Sequence, residues 1–173
     1  VSVEFVFTDK EEKWLSKAED RFSQYSFVEY KELDVEKSIV EQGFDPESFD
    51  LVLASNSLYP TANVSEAIEH LEEVTMPGGV LAIREFVSPL RWHELVFGLT
   101  ESWWAMSDER AASLCPLMQV DRWRSILSES GFESVSATGS DDGYQALILS
   151  SKSAVEPVES TQDTDVSELK SNA

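Results

Sequence analysis

The order of hydrophobic and polar residues along the chain predicts strands that alternate with helices. Val3, Phe5 and Phe7 alternate with polar or smaller residues, which is typical of a strand, and Thr8-Asp9 would end it in a turn. The strongest helix pattern is a stripe of apolar residues three and four positions apart, formed by Val64, Ala67, Ile68, Leu71 and Val74. A helix with this stripe faces a core on one side and solvent on the other.

The same alternation continues on both sides of this helix. Apolar residues from Trp14 to Phe22 recur at helical spacing, and Phe27 to Tyr30 predicts a second strand. The short apolar run from Phe49 to Ala54 is typical of a strand buried on both faces of a parallel sheet. Met76-Pro77-Gly78-Gly79 would stop the central helix and turn the chain into a strand that ends at Glu85.

The last third of the chain predicts two more helices and a hairpin. Helical spacing continues from Trp92 to Trp103, and a further helix is predicted with Asp121 as its N-cap and Gly131 at its C-terminal end. Phe132 to Ala137 and Tyr144 to Leu149 predict a strand pair. Strands that alternate with helices indicate an α/β fold with right-handed crossovers and a mostly parallel sheet, here with an antiparallel hairpin at its C-terminal end.

The composition predicts one folded domain followed by an acidic tail. A chain of 173 residues with 42% hydrophobic residues can bury one core, which we place in residues 1–150. Residues 151–173 contain no aromatic residue and five acidic against two basic residues, so we expect a disordered tail that is dispensable for folding. The chain lacks an initiator Met and enters a strand pattern at once, so we expect a segment of a longer polypeptide.

The net charge and the cysteine content limit which binding partners and which cellular compartment are expected. A formal charge of −20 repels phosphate backbones and anionic lipids, so we expect neither a nucleic-acid nor a membrane partner. Cys115 is the single cysteine; it rules out an internal disulfide and fits a cytoplasmic location. The sequence predicts no metal site.

Three features in close succession carry a family resemblance. Glu85 closes an apolar strand, Arg91-Trp92 follows, and then comes the run from Phe97 to Trp104. In this order the chain resembles the C-methyltransferase domains of polyketide synthases. The resemblance implies a Rossmann-like methyltransferase sheet, S-adenosylmethionine as cofactor, and an acyl carrier protein and flanking synthase domains as partners. It also implies methylation of the α carbon of a carrier-bound β-ketoacyl thioester.

Three polar residues at predicted strand ends are candidate cofactor ligands. By the resemblance, Asp9 would hold the ribose, Asp34 the adenine amino group, and Asn56 the methionine end of the cofactor. Each has a structural alternative. Asp9 could cap the helix that follows, Asp34 could be a solvated turn residue, and Asn56 could satisfy a local turn.

Glu85 and Tyr59 are the candidate catalytic residues. Methylation beside a thioester requires a base near the carbon that loses its proton, and the family uses a histidine oriented by a glutamate that Glu85 matches. The family's histidine, in a Leu-His-Ala-Thr segment, is Tyr59 here. A neutral tyrosine is a poor base near pH 7 but can donate a hydrogen bond to an enolate oxygen. His70 is expected to be solvated, and His93 is the less favoured replacement for the family's histidine. Alternatively, Arg84 or Arg91 could form an ion pair with Glu85.

The segment from Trp92 to Trp104 is where the family places a lid over the acyl pocket. Trp92, Phe97 and Trp104 would wall an apolar chain and exclude water. The alternative is a helix packed by its aromatic face, which would explain Trp92 and Trp103 but not Trp104.

The glycine-rich cofactor turn of the family, Glu-x-Gly-x-Gly-x-Gly, is absent from these 173 residues. In the family's topology, the first strand leads into this turn and lies between the two strands that end here at Asp9 and Ala54. The sequence predicts that this strand of the family is missing too. If no other residues supply it, those two strands should pair directly. Three functions therefore stay open: an incomplete C-methyltransferase, a non-catalytic pseudo-methyltransferase scaffold within a megasynthase, or an unrelated α/β binding module.

Overall fold

The computed structural model describes residues 3–140 and 143–154 of the chain. In chain order, its helices and strands are β1 (Phe5–Asp9), α1 (Glu12–Phe22), β2 (Val28–Glu32), β3 (Phe49–Ser55), α2 (Val64–Val74), β4 (Thr75–Phe86), α3 (Arg91–Val96), α4 (Val120–Glu129), β5 (Phe132–Gly139) and β6 (Gln145–Lys152). The predicted alternation of strands and helices is confirmed. None of the helices in the described part of the chain is long and apolar enough to cross a membrane.

The strands form two sheets that are separated by a gap. β1 pairs with β2 in parallel, and β3 pairs with β4 in parallel. β6 lies antiparallel between β4 and β5, which gives the order β3-β4-β6-β5 and confirms the predicted hairpin. The expectation that β1 and β3 pair directly is wrong, because they are edge strands of different sheets.

The core lies on one face of the larger sheet, under α2 and α4. α2 buries the whole predicted apolar stripe, and Asn63 caps it by accepting hydrogen bonds from the amides of Ser65 and Glu66. α4 adds buried apolar side chains, namely Trp123, Ile126 and Leu127. Its N-cap is Gln119 rather than the predicted Asp121, which lies in the first turn, while Gly131 takes the left-handed conformation expected after the helix, with φ of +87°.

The opposite face of the same sheet is open. Leu51 and Leu53 of β3 are 58% and 60% exposed, so the prediction of a strand buried on both faces is wrong. The register places Leu53 opposite Ala82 and Ala82 opposite Leu149, which is itself 39% exposed. A fully buried leucine stabilises a fold by about 1.5–3 kcal/mol relative to an exposed one. The exposed leucines on this face therefore provide only part of that stabilisation.

Gly79, in the first half of β4, has a packing role. A Cβ on Gly79 would lie 2.8 Å from the carbonyl oxygen of Met76 and 3.0 Å from that of Phe49. Any side chain there would push β3 away from β4, so the close approach of the two strands requires glycine.

The C-terminal strand continues past the predicted start of the tail. Ser150 is buried, and β6 extends to Lys152, whose Nζ lies 2.9 Å from a carboxylate oxygen of Glu72 and 3.1 Å from one of Glu47. The folded part therefore includes Ser151 and Lys152. The rest of the predicted tail, residues 155–173, lies outside the described residues.

The lid segment is less helical than its pattern predicts. α3 ends at Val96 and is followed by two short 3₁₀ turns, Phe97–Leu99 and Glu101–Trp104. Gly98 disfavours a continuous α-helix, and the hydroxyl of Thr100 donates a hydrogen bond to the carbonyl of Phe97 at 2.6 Å, which competes with helical bonding.

Candidate active site

Parallel pairing brings the ends of β3 and β4 together. Ser55 lies opposite Arg84 in the register, so Asn56 and Glu85 follow on neighbouring strands. The amide of Asn56 also donates a hydrogen bond to the carbonyl of Arg84 at 2.8 Å. The carboxyl ends of parallel strands are where open α/β sheets bind ligands.

Glu85 is a fully buried carboxyl group that the backbone holds on one side. Its Oε1 accepts hydrogen bonds from the amides of Ser57 at 3.0 Å and Leu58 at 2.9 Å. Its Oε2 is buried and has no hydrogen-bond partner in residues 3–140 and 143–154. Burial raises the pKa of Glu85 to about 7, although these amides, that of Tyr59 and the charge of Arg110 act in the opposite direction.

The predicted ion pair between Glu85 and a neighbouring arginine does not form. Arg84 points away on the exposed side of β4 and donates a hydrogen bond to the side chain of Gln145. Backbone amides bind Glu85 instead, and burial raises its pKa in spite of them and of the charge of Arg110.

Tyr59 lies in the loop whose amides bind Glu85. It is half-buried, and burial, followed by the negative charge of Glu85, raises the pKa of its hydroxyl. The side chain therefore stays neutral at neutral pH and keeps a proton that it can donate in a hydrogen bond. Its ring meets that of Trp103 edge to face, with centroids 6.1 Å apart.

A row of aromatic rings leads from this loop along the lid segment. Trp103 stacks on Phe97 at 6.2 Å, Phe97 lies 6.0 Å from the ring of His93, and His93 lies 4.3 Å from Phe86 at the end of β4. The row runs from Tyr59 back to the strand that carries Glu85. It gives the site an apolar wall.

The three predicted pocket residues take different positions. Phe97 is a member of the aromatic row. Trp92 is 47% exposed and contacts Phe97 at 6.0 Å, and Trp104 is 52% exposed with its indole nitrogen donating to the carbonyl of Gly98 at 2.9 Å. Trp103, which the helical pattern assigned to packing, is the tryptophan that touches Tyr59.

The two histidines do not pair with Glu85 in the described part of the chain. The amide of Leu90 donates to Nδ1 of His93 at 3.2 Å, so the proton of the neutral ring is on Nε2, which is buried without a partner. Burial lowers the pKa of His93, so the ring stays neutral. His70 is not simply solvated as expected: its Nδ1 donates to the carbonyl of Val35 at 2.9 Å.

Asp9 and Asp34 lie at the ends of the smaller sheet. Asp9 Oδ1 accepts a hydrogen bond from the amide of Glu11 at 2.9 Å, close to the start of α1. Asp34 accepts one from the amide of Glu36 and forms ion pairs with Lys10 and Lys37. Burial pushes the pKa of Asp34 upward, but these hydrogen bonds and charges outweigh it and hold the pKa below its usual value.

Glu36 joins this end of the smaller sheet to the loop after β3. Its Oε1 accepts a hydrogen bond from the amide of Ala62 at 2.7 Å, and its Oε2 pairs with Lys10 at 3.2 Å. The strand ends that carry Asp9, Asp34 and Asn56 therefore lie on the same side of the molecule, although the sheets are separate.

Two buried atoms at this edge are open to a ligand. Asn56 Oδ1 and Glu85 Oε2 both lack a hydrogen-bond partner among the described residues, and Asn56 adopts the left-handed conformation with φ of +50°. A buried polar atom without a partner costs about 1–3 kcal/mol, which a bound donor would recover. The end of the larger sheet can thus bind a polar ligand through these two acceptors.

Arg110 belongs to the site and was not predicted. It is 3% exposed, and its guanidinium group donates hydrogen bonds to the carbonyls of Tyr59, Thr61 and Ala62. A lone arginine outside any periodic pattern gives no clear sequence signal. The one hint in the sequence is the spacing Asp108-x-Arg110, a pair of opposite charges shortly after the lid segment.

Comparison with known proteins identifies relatives of this chain. The family described as "Methyltransferase domain" matches residues 1–81. Squalestatin hexaketide synthase from Phoma sp. is 37% identical over 131 residues, which is 75% of this chain and 5% of that protein.

Two solved structures share the fold at similar identity. The CurJ carbon methyltransferase has a TM-score of 0.83 at 31% identity, over 87% of this chain and 42% of that chain. The trans-methyltransferase CalH in complex with SAH has a TM-score of 0.79 at 31% identity, over 87% of this chain and 43% of that chain. This chain spans less than half the length of each of these three proteins. Through residues 1–81 it belongs to the methyltransferase-domain family, and its homologues include the CMeT domain of the citrinin polyketide synthase, which has a TM-score of 0.82 at 27% identity.

Proposed function

We propose that this chain is a segment of an S-adenosylmethionine-dependent C-methyltransferase of a polyketide synthase. The substrate would be a β-ketoacyl thioester carried on an acyl carrier protein, methylated at its α carbon. The chain would be incomplete or inactive alone. The observation that carries the proposal is Glu85, a fully buried carboxyl group at a ligand-binding strand edge with one oxygen held by amides and the other unpartnered.

Glu85 has the properties of a base for removing a proton from carbon. With its pKa raised to about 7 by burial, it is a stronger base than an exposed carboxylate and is still partly ionised at neutral pH. Its Oε1 is fixed by Ser57 and Leu58, so Oε2 is the atom that would accept the proton.

Tyr59 would serve as a donor beside this base. Its pKa is raised by burial and by the charge of Glu85, so it keeps its proton when the substrate forms an enolate. A neutral hydroxyl that points at the enolate oxygen stabilises the developing charge. The neighbouring rings of Trp103 and Phe97 would form an apolar wall beside the acyl chain and help to exclude water.

Asp9, Asp34 and Asn56 would hold the cofactor, which when bound supplies an electrophilic methyl group. Asp9 would accept from the ribose hydroxyls, Asp34 from the adenine amine, and Asn56 Oδ1 from the methionine ammonium group. The backbone donors of a glycine-rich turn are not among these 173 residues. The open edges of β1 and β3 would receive the strand that carries such a turn.

A non-catalytic scaffold is the second candidate function. Tyr59 in place of the family's histidine and the absent glycine turn both favour it. In that case the buried Glu85 would be a remnant of the ancestral site, and the fold would serve only to connect neighbouring domains.

Calorimetric titration of this 173-residue chain with S-adenosylmethionine is expected to show weak binding or none. The carboxylates of the smaller sheet can meet the adenosine, but no glycine turn is present to donate to the methionine carboxylate. A dissociation constant in the micromolar range, about −8 kcal/mol, would contradict this expectation.

Adding the turn separates the two functions. The control is a longer polypeptide that joins the strand and glycine turn of a related methyltransferase to this chain. Binding and methyl transfer by that protein support the enzyme, whereas binding without turnover, or no binding, supports the scaffold.

A further inference from the structure

Arg110 is a buried cation that gathers the carbonyl groups of one loop. Its Nη1 lies 2.8 Å from the carbonyl oxygen of Tyr59, and its Nη2 lies 2.6 Å from that of Thr61 and 3.3 Å from that of Ala62. A further bond, at 3.3 Å, reaches the carbonyl of Pro116. A planar guanidinium group suits this task because its donors are fixed in one fork.

Asp108 completes this arrangement. Nε of Arg110 lies 2.8 and 2.9 Å from its two carboxylate oxygens, so the buried charge is compensated. Asp108 also accepts from the amide of Val64, the first residue of α2, at 3.1 Å. Burial pushes the pKa of Asp108 upward, but the bonds from Arg110 and Val64 outweigh it and keep the pKa below its usual value.

The loop from Ser57 to Ala62 is therefore held at both ends by charged side chains. Glu85 binds the amides at its start, and Arg110 binds the carbonyls at its end. Tyr59 lies between the two anchors.

We propose that Arg110 is a positioning residue, which fixes Tyr59 beside Glu85 and against Trp103. It would also connect the lid segment to the loop from Ser57 to Ala62. The proposal rests on the proposed function for its catalytic meaning. Arg110 lies in a 3₁₀ turn, Glu109–Ala112, that follows the lid, and the neighbouring amide of Ser107 donates to Ala62 at 2.8 Å. Movement of the lid would then be transmitted directly to the carbonyls of the loop.

Three variants of the full chain test this proposal. Arg110→Met removes the donors at similar length, and Asp108→Asn combined with Arg110→Met removes both charges, so that no unpaired carboxylate is left buried. Arg122→Met is the matched control, because Arg122 pairs with Glu109 in the same segment but makes no bond to the loop in the described residues. The readout is the proton NMR contact between the rings of Tyr59 and Trp103.

The expected result is loss of the Tyr59–Trp103 contact in the double variant, with the amide spectrum of β3, β4 and β6 unchanged. Hydrogen exchange at the amides of Ser57 and Leu58 should also accelerate by at least about tenfold, since an opening cost of 1.4 kcal/mol corresponds to that factor. The control should keep both properties. A double variant that keeps the ring contact and the slow exchange overturns the proposal, even if its melting temperature falls.

Methyl transfer gives a second readout in protein that also contains the glycine turn. Arg110→Lys should lower kcat by about a hundredfold, as expected for misplacement of a catalytic group, with the KM for S-adenosylmethionine unchanged. An unchanged kcat would overturn the proposal. The NMR measurement needs neither cofactor nor turnover. It therefore tests the positioning role even if the proposed function is wrong.

Discussion

Tyr59→His is expected to raise methylation of a β-ketoacyl thioester by about 10²–10⁴-fold in protein that also carries the glycine-rich turn. The reason is local. Oε2 of Glu85 is buried without a partner, and an imidazole in place of the phenol would find there a carboxylate that fixes its tautomer and stabilises its protonated form. An imidazole is a competent base near neutral pH, whereas the pKa of Tyr59 is raised by burial. Methyl transfer from labelled cofactor to a synthetic thioester measures the change.

Two further variants make this result specific. Tyr25→His is the matched control, because Tyr25 is exposed and contacts Phe22 and Phe27 far from Glu85 in the sequence. It should leave turnover unchanged. Tyr59→Phe should lower any turnover that the native residue supports. Full activity in Tyr59→Phe would refute the donor role of this position and leave Glu85 to act as the base without it.

The 173-residue chain alone should not respond to Tyr59→His. Cofactor binding fails first when the backbone donors of the glycine turn are absent. Turnover by that variant without the added turn would contradict the expectation that cofactor binding requires the turn.

The free energy of unfolding is expected to carry a pH dependence that comes from Glu85. Burial raises the pKa of this carboxyl group from 4.5 to about 7 on folding. Between these two pH values the folded protein retains a proton that the unfolded chain has released, so rising pH favours unfolding. The stabilising contribution is complete below pH 4.5 and is lost as the pH passes 7, a change of about 3 kcal/mol.

Urea unfolding at several pH values measures this contribution as the difference between the native protein and Glu85→Gln, which cannot titrate. The difference should fall with pH over the stated window. Asp34 and Asp108 have lowered pKa values, so their contributions arise at lower pH and are common to both proteins. Glu133→Gln, at an exposed position on β5, should follow the native protein. Equal slopes for the native protein and Glu85→Gln would show that Glu85 is not buried as a titrating group.

Periodic patterns predicted the parts of the fold whose neighbours are present in the chain. The apolar stripe of α2 was read correctly because it packs on β4 and α4, and the C-terminal hairpin was read correctly because its two strands alternate. The same reasoning failed for Leu51 and Leu53, which have an apolar pattern but face no packed layer. Hydrophobicity shows that a side chain favours burial and does not show what will cover it.

The candidate site was predictable where a residue's place in a strand decides its position. Glu85 and Asn56 follow from the rule that ligands bind beyond the carboxyl ends of parallel strands. Trp103 and Arg110 could not be placed, because their contacts with Tyr59 depend on how the irregular lid segment folds back. Long-range contacts of a non-periodic segment leave no local pattern in the sequence.

The open edge of β3 has a consequence for the behaviour of the chain in solution. Seven residues, Phe49–Ser55, present backbone groups without a strand partner on one side, and they contain no proline or lysine of the kind that protects natural edge strands. Such an edge can template the addition of a strand from another copy. A net charge of −20 opposes this association at low ionic strength, and salt shortens the range of that repulsion to about 10 Å at 0.1 M. We therefore expect electrostatic repulsion to keep the copies apart at low ionic strength, and we expect aggregation to increase as salt is added.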